Sequence, residues 1–318
     1  MPKITYGGQS FECGDHSVLE CLTAQGISVP HSCRSGVCQT CMMQAVQGSV
    51  PQQAQNRIKP TLAAQNYFLA CVCHPEQDIE VILPETSEIM VKATVSGIEH
   101  LNADILGIRL KPSQPFPYKA GQFINFYKDH ETARCYSLAS VPALDDDLHL
   151  NVRKIPGGLV SGWISENLKA GDKVTISQAS GECFYVPGDA AQNILLIATG
   201  SGLAPLYGIL RDALLNGHHG RIKLYHGSYS SAGFYLVDEL RELAQSHANF
   251  RYVPCVSHEE AGDGFTQQGM VLDVALRDNP SLSGWRVFLC GNPDMVSAGK
   301  REAYLSGAGI NDIYADPF

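Results

Sequence analysis

The rhythm of apolar and polar positions changes twice along the 318 residues. Near the start, Ile4–Tyr6 reads as a short strand closed by a Gly7-Gly8 turn, and Ser17-Val18-Leu19-Glu20-Cys21-Leu22 spaces its apolar residues as a helix does. Ile79–Leu83 alternates as a half-buried strand should, and Pro84-Glu85-Thr86-Ser87 then reads as a linker. From residue 90 to about 187 the chain carries repeated short β patterns: Val91–Ser96, Ile105–Leu110, Gln122–Tyr127, Leu148–Arg153 and Lys173–Ile176. Gly and Pro turns separate them, which predicts an antiparallel barrel. From Asn193 the signal becomes α/β: strand Ile194–Ala198, helix Pro205–Leu215, strand Ile222–His226, helix Val237–Ala244, and strands Phe250–Val253 and Arg286–Leu289. That alternation calls for a parallel sheet with crossover helices. The expected fold is therefore multidomain, α+β and then α/β, with domains over 1–86, 87–189 and 190–318.

Composition narrows the function classes. With 44% hydrophobic and 17% charged residues, the chain is an ordinary globular protein with material for a sizeable core. No apolar run reaches the ~18–20 residues needed to cross a bilayer, so no membrane role is expected. The net charge of −9 is spread along the chain, −3, −2 and −4 over the segments 1–87, 88–190 and 191–318. No basic stripe exists, which argues against a nucleic-acid partner. The chain shows no secretory signal, and a cytoplasmic location is expected.

Four cysteines carry the first specific chemistry. Cys33, Cys38 and Cys41 are followed by Cys71, with four, two and twenty-nine residues between them. That C-x₄-C-x₂-C…C spacing is the plant-type ligand pattern of a [2Fe–2S] cluster. The intervening residues are small and polar, and Gly36 can take positive φ where sulfur and backbone crowd. Backbone N–H groups aimed at the sulfurs would raise the potential and fix the loop. A disulfide framework is disfavoured in a reducing compartment. A zinc site, the main alternative, usually pairs two C-x₂-C loops, whereas Cys71 stands alone, with Cys73 its only competitor.

A second constellation lies in the middle segment. Arg134-Cys135-Tyr136-Ser137 offers a guanidinium fork for a phosphate, an aromatic face for a flavin ring and a small hydroxyl at the ring edge. Downstream, Arg153-Lys154-Ile155-Pro156-Gly157-Gly158 leads to Ser161, which is expected to N-cap a helix whose start suits a pyrophosphate. A bare Pro-Gly-Gly turn before a surface helix would explain the second motif, but not both in this order.

With these motifs, Ala120-Gly121-Gln122-Phe123 and Leu168-Lys169-Ala170-Gly171-Asp172, the chain resembles the ferredoxin–NADP reductase superfamily. The likeness is to bacterial oxygenase reductases with an N-terminal plant-type ferredoxin domain, and it covers nearly the whole chain. It implies a β-grasp ferredoxin domain, an antiparallel β-barrel flavin domain and a C-terminal Rossmann-like nucleotide domain. It assigns the flavin to Arg134, Tyr136 and Ser137, and the pyrophosphate of FAD, rather than FMN, to Gly158 and Ser161, with Arg153 a further phosphate contact.

The last segment supplies a nucleotide site. Strand Ile194–Ala198 runs into Thr199-Gly200-Ser201-Gly202-Leu203-Ala204-Pro205, where glycines permit close approach to phosphates at a helix N-terminus. The third glycine of G-x-G-x-x-G is absent, but the resembled family uses G-x-G-x-x-P, which Gly200, Gly202 and Pro205 match. Cys290-Gly291 ends a later strand, and the resemblance places that cysteine beside the nicotinamide. It also makes Phe318 a candidate aromatic shield over the flavin. A buried structural cysteine and a packing aromatic are the plain alternatives. NADP-dependent relatives carry Ser-Arg where this chain has Ser257-His258-Glu259-Glu260, and the two carboxylates would repel a 2′-phosphate. NADH is therefore expected.

The reading predicts an NADH-dependent oxidoreductase that passes a hydride to FAD and single electrons through the cluster to a partner protein, with Ser137, Cys290 and Phe318 nearest the chemistry. The expected partner is a terminal oxygenase component. A deoxysugar dehydratase is an alternative client, and a redox-sensing or carrier protein with degenerate sites is the alternative from another class.

Overall fold

The computed structural model describes residues 2–58, 60–83, 90–129, 131–262 and 264–317. Helix α1 (Val18–Ala24) shows how local chemistry sets an element. The Ser17 side chain accepts from the Glu20 N–H while Glu20 accepts from the Ser17 N–H, closing a capping box before the buried Val18, Leu19, Cys21 and Leu22. These pack on a five-stranded sheet formed by β1 (Lys3–Tyr6), β2 (Gln9–Glu12), β3 (Met42–Gln47), β4 (Tyr67–Leu69) and β5 (Ile79–Ile82), in the order β2-β1-β5-β3-β4. The β1–β5 pair is parallel and the others antiparallel, so a mixed sheet grips one helix, as the β-grasp expectation required. A four-residue helix, α2 (Pro60–Ala63), follows the cysteine loop. Cys13 lies beside Cys21 of α1, their Cα atoms 5.4 Å apart, and both belong to the apolar core of this unit.

The middle sheet holds β6 (Met90–His100), β7 (Ile105–Pro112), β8 (Phe123–Tyr127), β9 (Ala133–Ser137), β10 (Leu148–Arg153) and β11 (Lys173–Ser177), in the order β10-β7-β6-β11-β8-β9. The β7–β10 and β8–β11 pairs are antiparallel, and a bridge between Leu138 and Leu150 links the two edges into a barrel. Helix α3 (Ser161–Asn167) follows β10. Its N-cap is Val160 and no side chain caps it, so the capping role expected of Ser161 is corrected. The hydroxyl of Ser161 instead turns back and accepts from the Ile155 N–H at 3.3 Å, closing the preceding turn.

The last sheet is wholly parallel, with order β15-β14-β13-β12-β16-β17. Its strands are β12 (Asn193–Thr199), β13 (Ile222–Ser228), β14 (Phe250–Val256), β15 (Gln267–Gln268), β16 (Trp285–Gly291) and β17 (Ile313–Pro317). Helices α4 (Leu203–Leu215), α5 (Val237–Ser246), α6 (Val271–Asp278) and α7 (Pro293–Leu305) cover its faces, and α6, α7, β15 and β17 were not anticipated. Central β12 is buried on both sides, which is why its residues form an unbroken apolar run. The chain builds outward from β12 through β13 and β14, then returns to β16 on the other flank. That reversal opens a crevice at the carboxyl ends of β12 and β16.

By contacts the chain divides into two compact units. One comprises residues 1–93, 124–136 and 173–180; the other comprises 94–123, 137–172 and 181–318. The linker expected at Pro84–Ser87 lies outside the described residues.

Candidate functional site

In the first unit the cysteine loop folds around its own sulfurs. Arg34, Gly36 and Gln39 take positive φ values of 52°, 74° and 58°, which turn the backbone inward. The Cys33 N–H points to Cys38 Sγ at 3.4 Å, the Ser35 and Cys38 N–H groups to Cys33 Sγ at 3.4 and 3.3 Å, and the Cys71 N–H to Cys41 Sγ at 3.4 Å. The Gly36 amide also reaches Cys71 and helps hold its thiol below the ordinary range. At its φ of 74° a Cβ on Gly36 would be strained and would press both methyls of Val72 at 3.1 Å.

The four thiols fall into two pairs: Cys33 and Cys38, each with its backbone N–H on the other's sulfur, and Cys41 and Cys71, joined by the Cys71 N–H on Cys41 Sγ. Among the described residues, the one set of three metal-ligating groups within 4.8 Å of one another lies elsewhere, at Cys183, Cys290 and Asp316. A mononuclear zinc site would draw all four sulfurs to about 3.8 Å of each other, given bonds near 2.3 Å. Two pairs with backbone donors between them instead fit a binuclear iron–sulfur centre, one pair on each iron. Cys73 does not compete: it is fully buried in the apolar core, and burial pushes its thiol up to about 12.

The environment of this loop is one-sided. Cys33, Arg34 and Ser35 are exposed, whereas Cys38 and Thr40 are buried against β8. There Asn125, 3% exposed, donates from Nδ2 to the Cys38 carbonyl at 3.2 Å, and the Thr40 hydroxyl lies 2.6 Å from Asn125 Oδ1 and 3.1 Å from Cys38 Sγ. Arg134 on β9 donates to the His31 carbonyl at 2.9 Å and the Ala133 carbonyl at 2.7 Å, so its guanidinium ties the flavin strand to the residues leading into the cysteine loop. Tyr136, two residues on, sets its ring edge-on to Phe126 at 6.4 Å, and burial raises its phenol. The sequence reading missed Thr40 and Asn125. A polar residue inside the apolar run Phe123-Ile124-Asn125-Phe126-Tyr127 was the available signal.

The second unit gathers most of the remaining residues. Ser137 is buried at the end of β9, and Gly158 packs so closely on Ser161 that no Cβ fits. Arg153, at the end of β10, brings its guanidinium to 3.6 Å from where a Cβ of Gly200 would stand. Gly200 itself has φ 54°, and its carbonyl accepts from the Tyr235 hydroxyl at 3.2 Å. A Cβ on Gly202 would strike the Cys290 carbonyl, and one on Gly291, φ 121°, would strike Thr199. The two loops at the sheet crevice thus pass at backbone contact, and glycine is required at both places. The Asn292 N–H donates to Thr199 Oγ1 at 2.9 Å, and the Asn292 side chain caps α7. Pro205 stands in the first turn of α4, where its missing N–H leaves nothing unpaired.

Cys290 is fully buried, and its sulfur lies 4.0 Å from that of Cys183. Burial raises the Cys290 thiol, and the hydrogen bond to Cys290 together with burial raises that of Cys183, so both keep their protons. Strand β17 pairs Asp316 with Cys290 and Pro317 with Gly291. Phe318 lies outside the described residues. At the ends of β13 and β14, Tyr229 and His258 stack with ring centroids 3.9 Å apart. Beside them Glu259 accepts from the Ser231 N–H at 2.8 Å, and the hydrogen bonds from Ser231 keep its carboxylate ionised.

Comparison with known proteins agrees with this geometry. Family models match for a 2Fe-2S iron–sulfur cluster binding domain over residues 4–76, an oxidoreductase FAD-binding domain over 89–185 and an oxidoreductase NAD-binding domain over 196–301. The reductase component of the naphthalene 1,2-dioxygenase system of Pseudomonas putida, a ferredoxin–NAD(P)⁺ reductase, is 32% identical over 95% of this chain and 93% of its own. The reductase subunit of an aromatic O-demethylase from an Amycolatopsis species is 33% identical over 93% and 92%. The crystal structure of an Amycolatopsis cytochrome P450 reductase, GcoB, superposes with a TM-score of 0.72 at 30% identity, covering 100% of this chain and 99% of that one.

Proposed function

Since the chain belongs to the family of FAD- and [2Fe–2S]-containing reductase components of oxygenase systems, we propose that it takes electron pairs from NADH and delivers them singly to an oxygenase component. The cofactors supply the chemistry when bound: a flavin accepts a hydride and gives up electrons one at a time, and an iron–sulfur centre accepts only one. The chain's own residues bind, orient and exclude water.

The observation that carries this reading is the one-sidedness of the cysteine loop. Cys38 and Thr40 are buried against flavin-sheet strand β8, while Cys33, Arg34 and Ser35 face outward. Electrons would enter at the Cys38 side and leave at the Cys33 side, where the oxygenase component docks. Arg134, Tyr136 and Ser137 would hold the flavin, with Arg153, Gly158 and Ser161 at its phosphates. Gly200, Gly202, Pro205 and Gly291 would admit the nicotinamide dinucleotide, and the neutral thiol of Cys290 would shape the floor beneath its ring without acting as a nucleophile. Glu259, fixed by Ser231 beside an exposed aromatic stack, favours NADH because a 2′-phosphate would meet its carboxylate. No helix among the described residues is long and apolar enough to cross a membrane.

Anaerobic titration of the purified protein with NADH tests this. Flavin absorbance should bleach and an iron–sulfur EPR signal should rise within the same few equivalents. A protein that holds flavin and iron yet leaves its iron–sulfur centre oxidised under excess NADH would refute the reductase reading.

A further inference from the structure

Resting on the iron–sulfur reading above, we propose that Asn125 is a positioning residue that sets the reduction potential of the centre by competing with the Cys38 sulfur for the hydrogen of the Thr40 hydroxyl. The three groups meet in a buried space within one unit, Thr40 at 4% and Asn125 at 3% exposure. A hydroxyl has one hydrogen to donate. Thr40 Oγ1 lies 2.6 Å from Asn125 Oδ1 and 3.1 Å from Cys38 Sγ, so two acceptors face one donor.

The orientation of the Asn125 amide follows from its other bond. Its Nδ2 lies 3.2 Å from the Cys38 carbonyl, a group that can only accept. That places nitrogen toward the carbonyl and oxygen toward Thr40. The backbone beneath is held as well: the Asn125 N–H donates to Ser177 Oγ at 2.9 Å, and that hydroxyl donates to the Gln178 carbonyl at 2.7 Å. Asn125 cannot flip to hand the hydrogen back to sulfur without setting carbonyl against carbonyl.

The consequence is electrostatic. A hydrogen bond donated to a ligating thiolate stabilises the more negative, reduced state and raises the potential. The amide oxygen, nearer and the better acceptor, draws that hydrogen away and keeps the potential low. Adding an electron makes Cys38 Sγ more basic, and the hydroxyl can then rotate by one torsion toward it. Asn125 thus sets the threshold at which the centre accepts its electron, from a position on the flavin sheet.

The test is anaerobic potentiometric titration of the purified holoprotein, read by EPR, with iron and flavin content measured for every variant. Asn125→Ala removes the competing acceptor, and the reduced-to-oxidised ratio at the wild-type midpoint should rise three- to tenfold. Tenfold is about 59 mV for one electron. Asn125→Leu, which refills the volume, should do the same. In a Thr40→Val background the rise should vanish, whereas Thr40→Ser, which keeps a hydroxyl, should leave it intact. An unchanged or lowered midpoint in iron-loaded Asn125 variants overturns the proposal, as does a rise that persists with Thr40→Val. Loss of the centre from both Asn125 variants also overturns it, since the residue would then hold the loop rather than tune it. A wild-type protein without iron would instead overturn the iron–sulfur reading itself.

Discussion

At the residue scale, the glycines and cysteines of this chain differ sharply in what they tolerate. Gly202 and Gly291 lie where the β12 and β16 loops touch backbone to backbone, and a single methyl on Gly202 would meet the Cys290 carbonyl. Gly202→Ala should therefore raise the KM for NADH at least tenfold while leaving the flavin and iron–sulfur absorbance of the purified protein unchanged. The cysteines divide by role. Cys71→Ser should abolish the iron–sulfur absorbance and EPR signal, whereas Cys73→Ser should keep both, because Cys73 is buried in the apolar core away from the pairs. At the nucleotide end, Glu259→Arg should lower the KM for NADPH tenfold or more, a change that steady-state kinetics with both nucleotides would register.

At the scale of elements, β13 carries an unusual core residue. His226 is fully buried; its Nδ1 lies 3.1 Å from the Tyr252 hydroxyl, and the rings of Phe234 and Tyr235 pack edge-on against it. Burial depresses its pKa from 6.5 to about 3. The folded chain holds it neutral while the unfolded chain takes up a proton below about 6.5. Stability is therefore full well above that pH and falls on acidification, by about 1 kcal/mol over the first pH unit below it and by about 1.4 kcal/mol for each unit after that until the folded pKa is approached. Thermal melts at pH 7.5 and 5.5 should show a smaller difference between the two pH values for His226→Phe than for wild type.

Periodicity made β10 legible to the residue and most other predicted strands to within a few, because a sheet half in water and half in core writes a two-residue alternation. It missed the short β2 and β15; β3 and β4, where the apolar run Met42-Met43 and the short Tyr67–Leu69 carry no alternation; and β17, a late addition to a finished sheet. The same limit applies to the site. Spacing marked the four cysteines, and the strand–glycine–helix context with the resembled family's G-x-G-x-x-P marked the Gly200–Pro205 loop, since one loop supplies most of each. Cys183 lies 107 positions from Cys290, and Thr40 lies 85 from Asn125, so only the folded chain could bring them together.

At the scale of the whole molecule, a strong polar contact fastens two segments of the second unit. Arg211 on α4 makes a two-pronged ion pair with Asp145, 2.8 and 3.0 Å long, and both side chains are largely buried. Burial opposes the Asp145 charge, but the Arg211 bonds outweigh it and hold the carboxyl below its usual range. Arg211→Ala would leave that carboxylate uncompensated, at about 3 kcal/mol. Its melting temperature should fall by several degrees, and Arg211→Ala/Asp145→Asn should recover part of the loss. On the outward face of the iron–sulfur loop, Arg34→Glu should slow reduction of the oxygenase component while leaving NADH-dependent bleaching of the flavin untouched.

Among the described residues the barrel is closed by one isolated bridge, Leu138 to Leu150, with the Ala139 N–H on the His149 carbonyl at 2.9 Å and the His149 N–H on Ser140 Oγ at 3.1 Å beside it. A seam of so few bonds is where a closed sheet unzips first under thermal fluctuation. Residues 134–137, the strand assigned to the flavin, run directly into that seam. Amide protons there should exchange with deuterium fastest in flavin-stripped protein and slow markedly once the flavin returns. The strand proposed to hold the isoalloxazine would then also be the latch of its own barrel, and loss of the flavin would leave the whole cylinder breathing.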